Sequence, residues 1–405
     1  MDKNEIHIGD NLDFFKENAV RLHNKVDFIY IDPPYNTQNL FCYNDKKTLD
    51  EWIIFMGGRL NYAKKLLNNE GVIFISIDDN SLYELKLLCD KIFEKQNYIG
   101  TMITKQSERS NSIHINTTHE YILCYAKNKT FLPKFETLRI KNPADKVMIE
   151  SLYDIVKKEL PEGKEYAKKI LRKEIIKYCK LKEITWLKNY HNITDKGEIF
   201  FAKDLSVPGI PNRINLPDLN KKLEPLLTRR WSNQFTIMKL HNQNRLYWNN
   251  NRPWKIQYLR EAKDSAPSIL NYYSRMGSND LKKLGLYGLF DTPKPVELIK
   301  YLIRLSVKKK NAVILDFFAG SGSTAQAVYE INKSDKKNHK YILVQLNEIM
   351  NFETPCYKTA RKLKIMPTVD QAMIFRIKTY LSKNKISDNI LINKLVPKQK
   401  VLEYA

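Results

Sequence analysis

The sequence predicts an α/β protein whose strand-and-helix framework is interrupted by a long segment of different character. Residues 1–130 alternate apolar strands with helical segments, and a second strand, glycine turn and helix follow at 313–329. Between them, residues 131–290 contain a basic stretch and segments in which tryptophan, tyrosine, asparagine and arginine interleave. Alternating strands and helices are typical of a parallel or mixed sheet covered by helices.

The strands of the first region are short runs of β-branched and aromatic residues. They are predicted at 26–31, 72–77, 98–103 and 121–125. Apolar residues at helical spacing predict helices over about 52–67 and 82–93. The last two strands are expected to form a hairpin-like pair. The polar segment 105–112 between them is too long for a tight turn, which favours a functional loop.

The tetrapeptide Asp32-Pro33-Pro34-Tyr35 follows the strand 26–31 directly and places a carboxylate at its C-terminal end. In open α/β sheets, that edge is where ligands bind. The two prolines hold Asp32 and Pro33 extended, so that a carboxylate and a backbone carbonyl point outward close together. Two acceptors beside the ring of Tyr35 suit a planar group that carries an N–H2, such as a nucleobase edge. On its own, Asp-Pro is also a common opener of structural turns.

A second strand, at 313–316, runs into the turn Phe318-Ala319-Gly320-Ser321-Gly322 and then into a helix. Gly320 and Gly322 permit positive φ angles and a close approach of the backbone to a ligand. Glycines between a strand and a helix commonly bring a small cofactor to the helix N-terminus. The turn lacks the Gly-Lys-Ser/Thr of a nucleotide triphosphate site and the full spacing of a dinucleotide site.

Together these two segments resemble motifs IV and I of the S-adenosyl-L-methionine-dependent amino-methyltransferases of DNA. The catalytic motif comes first and the cofactor motif last, an order that resembles the circularly permuted β class. Over residues 1–130 and 290–380 the sequence resembles modification subunits of type III restriction-modification systems and their short type II relatives. The resemblance implies a Rossmann-like mixed methyltransferase sheet with an inserted target recognition domain.

The resemblance also implies roles for individual residues. The implied catalytic residues are Asp32, Pro33, Pro34 and Tyr35. The implied ligands of S-adenosyl-L-methionine are Asp10, Asn11, Asp32, Lys294, Pro295, Asp316, Phe317, Phe318, Ala319, Gly320, Ser321, Gly322, Ser323, Gln345 and Glu348. The residues expected to contact the substrate are Asn36, Arg109 and Asn111. The chemistry requires no metal.

Gln345 departs from the broader family. After the strand 341–344, that family carries an acidic residue that binds the ribose hydroxyls, whereas this chain has Gln345 and then Glu348 three residues on. Type III subunits share the glutamine, so the departure does not predict a loss of activity. Whether Gln345 or Glu348 contacts the ribose stays open at the level of the sequence.

Four segments are expected along the chain. Residues 1–130 form the catalytic half of the methyltransferase domain, 131–290 the target recognition domain, 291–350 the cofactor-binding half, and 351–405 a basic helical extension. In the second segment, lysines of the basic helix over 166–187 are suited to phosphates, and the arginines and asparagines of 245–255 to base edges. A solvated helix face and an ordinary core are the open alternatives.

Composition agrees with a polyanionic partner. The 405 residues include 68 Lys and Arg against 45 Asp and Glu, a net charge of +23, which predicts binding to double-stranded DNA. No apolar run reaches the ~20 residues that span a bilayer, and the N-terminus has no apolar signal core. A cytoplasmic protein with reduced cysteines and no zinc site is therefore predicted. The five scattered cysteines are Cys42, Cys89, Cys124, Cys179 and Cys356.

The predicted activity is site-specific methylation of adenine N6 in DNA. Cytosine N4 is an amine of the same type, but the family usually pairs Asp-Pro-Pro-Tyr with adenine. Three alternatives remain at this stage: a cytosine-N4 enzyme, a non-catalytic DNA-binding protein of the same fold, and an RNA methyltransferase. The expected partners are double-stranded DNA, a second copy of the chain and a restriction-endonuclease subunit, and a type II or solitary enzyme is equally open.

Overall fold

The computed structural model describes residues 3–37, 47–106, 114–138 and 143–396. The chain divides into two compact units. Unit 1 comprises Met1–Phe135 and Ala266–Ala405, and unit 2 comprises Glu136–Ser265. Arg109 and Asn111, which were expected to contact substrate, lie outside the described residues, as does Cys42.

The strands are numbered in chain order. They are β1 (Glu5–Ile8), β2 (Val26–Ile31), β3 (Leu67–Ile77), β4 (Tyr98–Lys105), β5 (His119–Ala126), β6 (Glu136–Leu138), β7 (Asn192–Ile193), β8 (Ile199–Asp204), β9 (Ser206–Pro208), β10 (Ile214–Leu216), β11 (Lys221–Leu223), β12 (Arg229–Trp231), β13 (Leu246–Asn249), β14 (Arg252–Tyr258), β15 (Lys263–Ser265), β16 (Ile269–Leu270), β17 (Val313–Asp316), β18 (Lys340–Gln345) and β19 (Leu391–Lys394).

The α-helices are numbered in the same way. They are α1 (Asn11–Leu22), α2 (Leu49–Leu66), α3 (Leu82–Cys89), α4 (Pro143–Glu159), α5 (Lys164–Leu181), α6 (Gln234–Asn242), α7 (Ser274–Leu284), α8 (Val296–Ser306), α9 (Ser323–Asp335), α10 (Pro355–Lys362) and α11 (Val369–Lys383). The strands and helices predicted for residues 26–125 are confirmed, with bounds that differ by a few residues.

Unit 1 is built on a nine-stranded mixed sheet with the order β16-β4-β5-β3-β2-β17-β18-β1-β19. Strand β5 runs antiparallel to its neighbours β3 and β4, as the predicted hairpin-like pair requires. The other neighbouring strands are parallel. The predicted α/β fold with a mixed sheet is therefore confirmed.

Strands β2 and β17 lie side by side at the centre of this sheet. They are parallel, and Ile29 pairs with Leu315. From β2 the chain continues through α2 to β3 on one side, and from β17 it continues through α9 to β18 on the other. Because the strand order reverses between them, a crevice opens at the C-terminal ends of these two strands. Both predicted motifs begin at that crevice.

Alternating side chains of the central strands pack on the two faces of the sheet. Phe28 and Tyr30 belong to a core that includes residues of α7–α11, whereas Ile29 and Ile31 belong to a core formed with α1, α2 and α3. This alternation follows from the two-residue period of a strand. Both faces of β2 are therefore covered, and only its C-terminal end is left to meet a ligand.

The segment from 351 onward is part of unit 1, although the sequence was divided there into a separate extension. Val369, Met373 and Ile377 of α11 belong to the core on one face of the sheet. Strand β19 pairs in parallel with β1 at the sheet edge. These apolar positions of α11 follow one another at four-residue spacing.

Unit 2 contains residues 136–265 of the segment that the sequence set apart at 131–290. Its two cores are formed by α4 and α5 with β7 and β8, and by residues from Leu205 to Leu240 around Trp231. A four-stranded sheet has the order β13-β14-β8-β7, and short antiparallel pairs join β9 to β12, β10 to β11 and β6 to β15. Residues 266–290 lie in unit 1 because β16 extends the large sheet and α7 packs on α11.

Candidate active site

A cavity of about 280 Å³ lies at the C-terminal ends of β2 and β17. Nine of the sequence-predicted site residues line it, namely Asp10, Asn11, Asp32, Pro34, Phe317, Phe318, Gly320, Gln345 and Glu348. Phe55 and Arg59 of α2 complete the wall on one side. Residues separated by more than 300 positions in the chain are thus brought together because their strands are neighbours in the sheet.

A second, smaller cavity of about 80 Å³ adjoins the first. Asp32, Phe318 and Gly320 line both cavities. The second cavity is further lined by Lys294, Asp316, Ala319, Ser321 and Ser323. Both cavities thus lie along the loop that follows β17, and Asp32 is one of the residues that they share.

The Asp-Pro-Pro-Tyr segment is fixed by the residues packed around it. Trp52 Nε1 donates a hydrogen bond of 2.8 Å to the carbonyl of Pro34. Among the described residues, no donor is bonded to the carbonyl of Pro33. Pro33 is buried and Asp32 is partly exposed at the cavity. The carboxylate of Asp32 therefore lines both cavities, whereas Pro33, whose carbonyl has no partner among the described residues, lines neither.

Asp32 belongs to a cluster of four polar side chains, with Tyr35, Glu120 and Lys294. Tyr35 donates its hydroxyl to Asp32 Oδ1 at 2.8 Å. Lys294 Nζ donates to the Tyr35 hydroxyl at 2.7 Å and to Glu120 Oε2 at 2.6 Å, and it lies 3.3 Å from Asp32 Oδ1. The sequence placed Lys294 among the cofactor ligands. In the structure, its ammonium group also contacts the predicted catalytic carboxylate.

Burial and charge act in opposite directions on this cluster. Burial raises the pKa of Asp32, with the nearby charge of Glu120 in support, while Lys294 lowers it. Burial also opposes the charge of Lys294, but Asp32 and Glu120 hold its pKa well above its ordinary value. The pKa of the Tyr35 hydroxyl is raised by burial and by the two carboxylates, so Tyr35 acts as a neutral donor.

The loop after β17 is shaped by Asp316. Its Oδ1 accepts from the Phe318 backbone N–H at 3.2 Å, and its Oδ2 accepts from the Thr324 hydroxyl at 2.6 Å. Burial raises the pKa of Asp316 to about 7. Because both carboxylate oxygens bind donors of the loop and the following helix, Asp316 acts through the shape of the loop.

Two glycines allow the turn of this loop. Gly320 and Gly322 have φ angles of +51° and +75°, which residues with a side chain rarely adopt. A Cβ on Gly322 would lie 3.0 Å from Met373, so space as well as conformation restricts that position. Gly322 caps α9 and packs against α11.

Gln345 contacts the loop through its amide. Its Oε1 accepts from the Gly320 N–H at 2.7 Å, and its Nε2 donates to the Leu346 carbonyl at 3.2 Å. Glu348 lies on the wall of the same cavity and carries a carboxylate. Which of the two residues contacts the ribose stays a prediction.

Asp10 and Asn11 are held in place by Arg59. Arg59 Nη2 lies 3.1 Å from Asp10 Oδ2, and its Nε donates to the Asn11 side chain. Asp10 also caps α1 by accepting from the Leu12 N–H, and Asn11 donates to the carbonyl of Phe317 at 2.8 Å. Burial lowers the pKa of Arg59, and Asp10 opposes this effect. This network ties the start of the chain to the end of β17.

The remaining predicted site residues are placed differently. Asn36 has a φ of +59°, and its side chain accepts from the Lys47 N–H at 2.9 Å. Pro295 is buried as the N-cap of α8 and is not among the residues that line either cavity.

Three residues of the site were missed in the sequence. Glu120 directly precedes the predicted strand 121–125 and was assigned no role, Arg59 is a single charge inside an apolar helix, and Arg376 lies among the many basic residues near the C-terminus. A charged residue at an otherwise apolar helix position was the available signal for the two arginines.

Within the described residues, no cluster of histidine, cysteine and acidic side chains is arranged to hold a metal ion. The helices of that part of the chain include none with the length and apolarity to cross a bilayer.

The chain is similar in sequence to DNA-modifying proteins. It is 29% identical to the type III restriction-modification enzyme StyLTI Mod subunit of Salmonella typhimurium, over 94% of this chain and 58% of that protein. It is 29% identical to the type II methyltransferase M.KpnI of Klebsiella pneumoniae, over 87% of this chain and 83% of that protein. The chain therefore spans little more than half the length of the type III subunits that it matches.

Solved structures also align with the chain. The cytosine-N4-specific PvuII DNA methyltransferase aligns over 96% of this chain and 95% of its own, at 9% identity and a TM-score of 0.42. A family profile described as DNA methylase matches residues 26–350, which include β2, the whole of unit 2 and β17. The chain belongs to the DNA methylase family.

Proposed function

We propose that the chain transfers a methyl group from S-adenosyl-L-methionine to the N6 amino group of an adenine that is flipped out of duplex DNA. The observation that carries this proposal is the single crevice at the ends of β2 and β17. There Asp32 lines both the larger cavity and the cavity beneath the glycine loop. A carboxylate that meets a cofactor-sized site at a strand end is the arrangement that a direct transfer needs.

The residues of the crevice fit the proposed cofactor. Gly320 brings the backbone to the wall of the cavity, Phe55 and Phe318 supply apolar surface, and Glu348 supplies a carboxylate for hydroxyl groups. S-adenosyl-L-methionine supplies a methyl group on a positively charged sulfur. The chain's part is to hold the cofactor beside Asp32, because positioning alone provides much of the rate of such displacements.

Asp32 and Pro33 are suited to receive an exocyclic amine. Hydrogen bonds from the N–H2 group to the carboxylate and to the Pro33 carbonyl draw its lone pair out of the aromatic ring. The raised pKa of Asp32 favours acceptance of the proton that the methylated amine must lose. Flipping the base costs a few kcal/mol, and stacking on an aromatic ring such as Tyr35 returns roughly 1–3 kcal/mol.

Unit 2 supplies surfaces suited to DNA. A groove of about 550 Å³ is lined by Lys168, Lys169, Arg172 and Lys173 of α5 together with His191. In the same unit, the turn between β13 and β14 exposes Asn250 and Asn251, both with positive φ angles. Lysines in a groove suit phosphates and asparagines on a turn suit base edges, which supports double-stranded DNA as the substrate.

A restriction-modification setting is part of the proposal. It is supported by the printed names of the relatives, which include type III Mod subunits and a type II methyltransferase. Pairing with a second copy of the chain and with an endonuclease subunit remain predictions, as does a cytoplasmic location.

The test is methyl transfer from labelled S-adenosyl-L-methionine to duplex DNA, followed by analysis of the nucleosides. We expect N6-methyladenine from the wild-type chain. Asp32→Ala should lose transfer by at least about 100-fold and still bind the cofactor, because the side chain acts on the amine. Recovery of N4-methylcytosine alone would replace adenine by cytosine as the target, and an absence of transfer to any DNA would refute the proposal.

A further inference from the structure

Arg376 lies beneath the loop that follows β17 and is almost completely buried. The residue belongs to α11 and is 1% exposed. Its Nη1 donates to Ser321 Oγ at 2.7 Å, to Ser323 Oγ at 2.8 Å and to the Ser321 carbonyl at 3.1 Å. Its Nη2 donates to Gln326 Oε1 at 3.1 Å. A guanidinium from the C-terminal part of the chain thus fixes both serines of the loop.

The charge of Arg376 has no ion-pair partner among the described residues. Burial lowers its pKa to about 10, and the negative charges of Asp280 and Glu330 oppose that effect. The group is therefore positively charged at neutral pH. Its Nε also lacks a hydrogen-bond partner in the part of the chain that the structure describes. A buried charge of this kind costs free energy, which a bound anion would offset.

The hydrogen bonds of Arg376 determine which hydroxyl proton remains to be donated. Because Arg376 donates to Ser321 and Ser323, both hydroxyl oxygens are acceptors toward the guanidinium. Ser323 gives its proton to the carbonyl of Lys294 at 2.7 Å. The Ser321 hydroxyl lies 3.1 Å from Ser323 Oγ, and both serines line the smaller cavity. Ser321 is therefore the hydroxyl that can turn its proton toward an anion in that cavity.

We propose that Ser321 and Arg376 form a subsite for the carboxylate at the amino-acid end of S-adenosyl-L-methionine. Ser321 donates a hydrogen bond to the carboxylate, and Arg376 supplies the positive charge directly behind that hydroxyl. Arg376 acts through Ser321 and is thus a positioning residue. The inference rests on the proposed cofactor, and it adds a helix from the C-terminal part of the chain to the cofactor site.

The experiment compares two ligands by isothermal titration calorimetry with the full chain. S-adenosyl-L-homocysteine carries the amino-acid group, and 5′-methylthioadenosine carries the same nucleoside without it. Arg376→Met should lower the affinity for the first ligand at least ~10-fold and change the affinity for the second less than ~2-fold. The reason is that only the first ligand carries the carboxylate that the subsite binds. Arg376→Lys keeps the charge and should recover part of the affinity.

Two further variants complete the design. Ser321→Ala removes only a hydroxyl and should lower the affinity for S-adenosyl-L-homocysteine several-fold without changing the affinity for 5′-methylthioadenosine. This variant tests the subsite even if Arg376→Met does not fold. Lys378→Met removes an exposed charge from the same helix and should bind both ligands as the wild type does.

The outcomes separate the inference from the proposed function. Unchanged binding of S-adenosyl-L-homocysteine by Arg376→Met, or an equal loss for both ligands, would overturn the carboxylate subsite while the proposed function stands. A wild-type chain that binds neither ligand would overturn both.

Discussion

The ammonium group of Lys294 contacts the oxygens of Tyr35 and Glu120 and forms an ion pair with Asp32. A ligand amine that approaches Asp32 therefore meets one cation and two carboxylates. Because charges at this distance shift one another's pKa values, Lys294 and Glu120 are expected to set the pH at which Asp32 can act as an acceptor.

Substitution of these two neighbours should move the acid limb of the pH–rate profile in opposite directions. Lys294→Met removes the charge that lowers the pKa of Asp32, so the limb should move to higher pH and the rate at neutral pH should fall at least ~10-fold. Glu120→Gln removes a charge that raises it, so the limb should move to lower pH. Single-turnover methylation across pH measures both. Shifts in the same direction would contradict this account of the cluster.

Asp316 makes the stability of unit 1 depend on pH. Burial raises its pKa from 3.8 to about 7, so the folded chain retains a proton that the unfolded chain has released. The stabilisation is complete below pH about 4 and is lost as the pH rises through about 7. Asp316→Asn cannot titrate, and its melting temperature should gain about 2–4 °C relative to the wild type between pH about 5 and 8. If the difference in melting temperature between Asp316→Asn and the wild type does not change with pH, Asp316 is ionised over the whole range.

Single residues also show where reasoning from the sequence ends. Asp32 and Gly320 were identified because each stands at a strand end within a recognisable segment, and the structure places both at one crevice. Glu120, Arg59 and Arg376 were not, because their roles depend on contacts with residues at least 48 positions away in the chain. Composition and local spacing carry no information on such contacts.

Among the elements, β2 and β17 determine the site because they are neighbouring strands from which the chain continues to opposite sides of the sheet. Each strand was predictable from its apolar run, but their adjacency was not, since it depends on the pairing of residues almost 290 positions apart. Helix α11 shows the converse. Its helical character was predicted from the sequence as part of a basic helical extension, but its packing against the sheet was not.

Helix α5 has two faces with different roles. Ala167, Leu171, Ile175 and Cys179 are buried in a core of unit 2 at four-residue spacing. Lys169, Arg172 and Lys173 are exposed on the remaining surface and line the basic groove. The sequence left a solvated face and a DNA-binding face equally open, and the groove favours the second.

Replacing Lys169, Arg172 and Lys173 together by glutamine should weaken DNA binding without an effect on folding. The slope of log affinity against log salt should become shallower by about 0.9 for each residue that contacts a phosphate. Fluorescence anisotropy over a salt series measures it. The matched control replaces Lys333, Lys336 and Lys358, which are exposed on unit 1 and carry the same total charge. Equal changes in both triple variants would indicate that net charge, and not the groove, determines the affinity.

On the scale of the whole molecule, the chain leaves unit 1 after Phe135 and returns at Ala266. The Ala266 N–H donates to the Phe135 carbonyl at 3.1 Å, so the two ends of the interruption are in contact. Within unit 2, the strands that follow and precede these ends, β6 and β15, pair with each other. Ends this close allow a long segment to be inserted at little cost, because a short connection closes the same gap.

This geometry predicts that unit 1 folds without unit 2. A chain in which residues 136–265 are replaced by a short glycine-serine linker should bind S-adenosyl-L-homocysteine within about 3-fold of the full chain, because all residues that line the two cavities belong to unit 1. Its affinity for duplex DNA should fall at least ~10-fold, because the groove of α5 and the asparagine turn are removed. Calorimetry and fluorescence anisotropy measure the two affinities, and circular dichroism checks the fold. Loss of cofactor binding by a folded variant would mean that unit 2 completes the cofactor site, and unchanged DNA affinity would place the DNA-binding surface on unit 1.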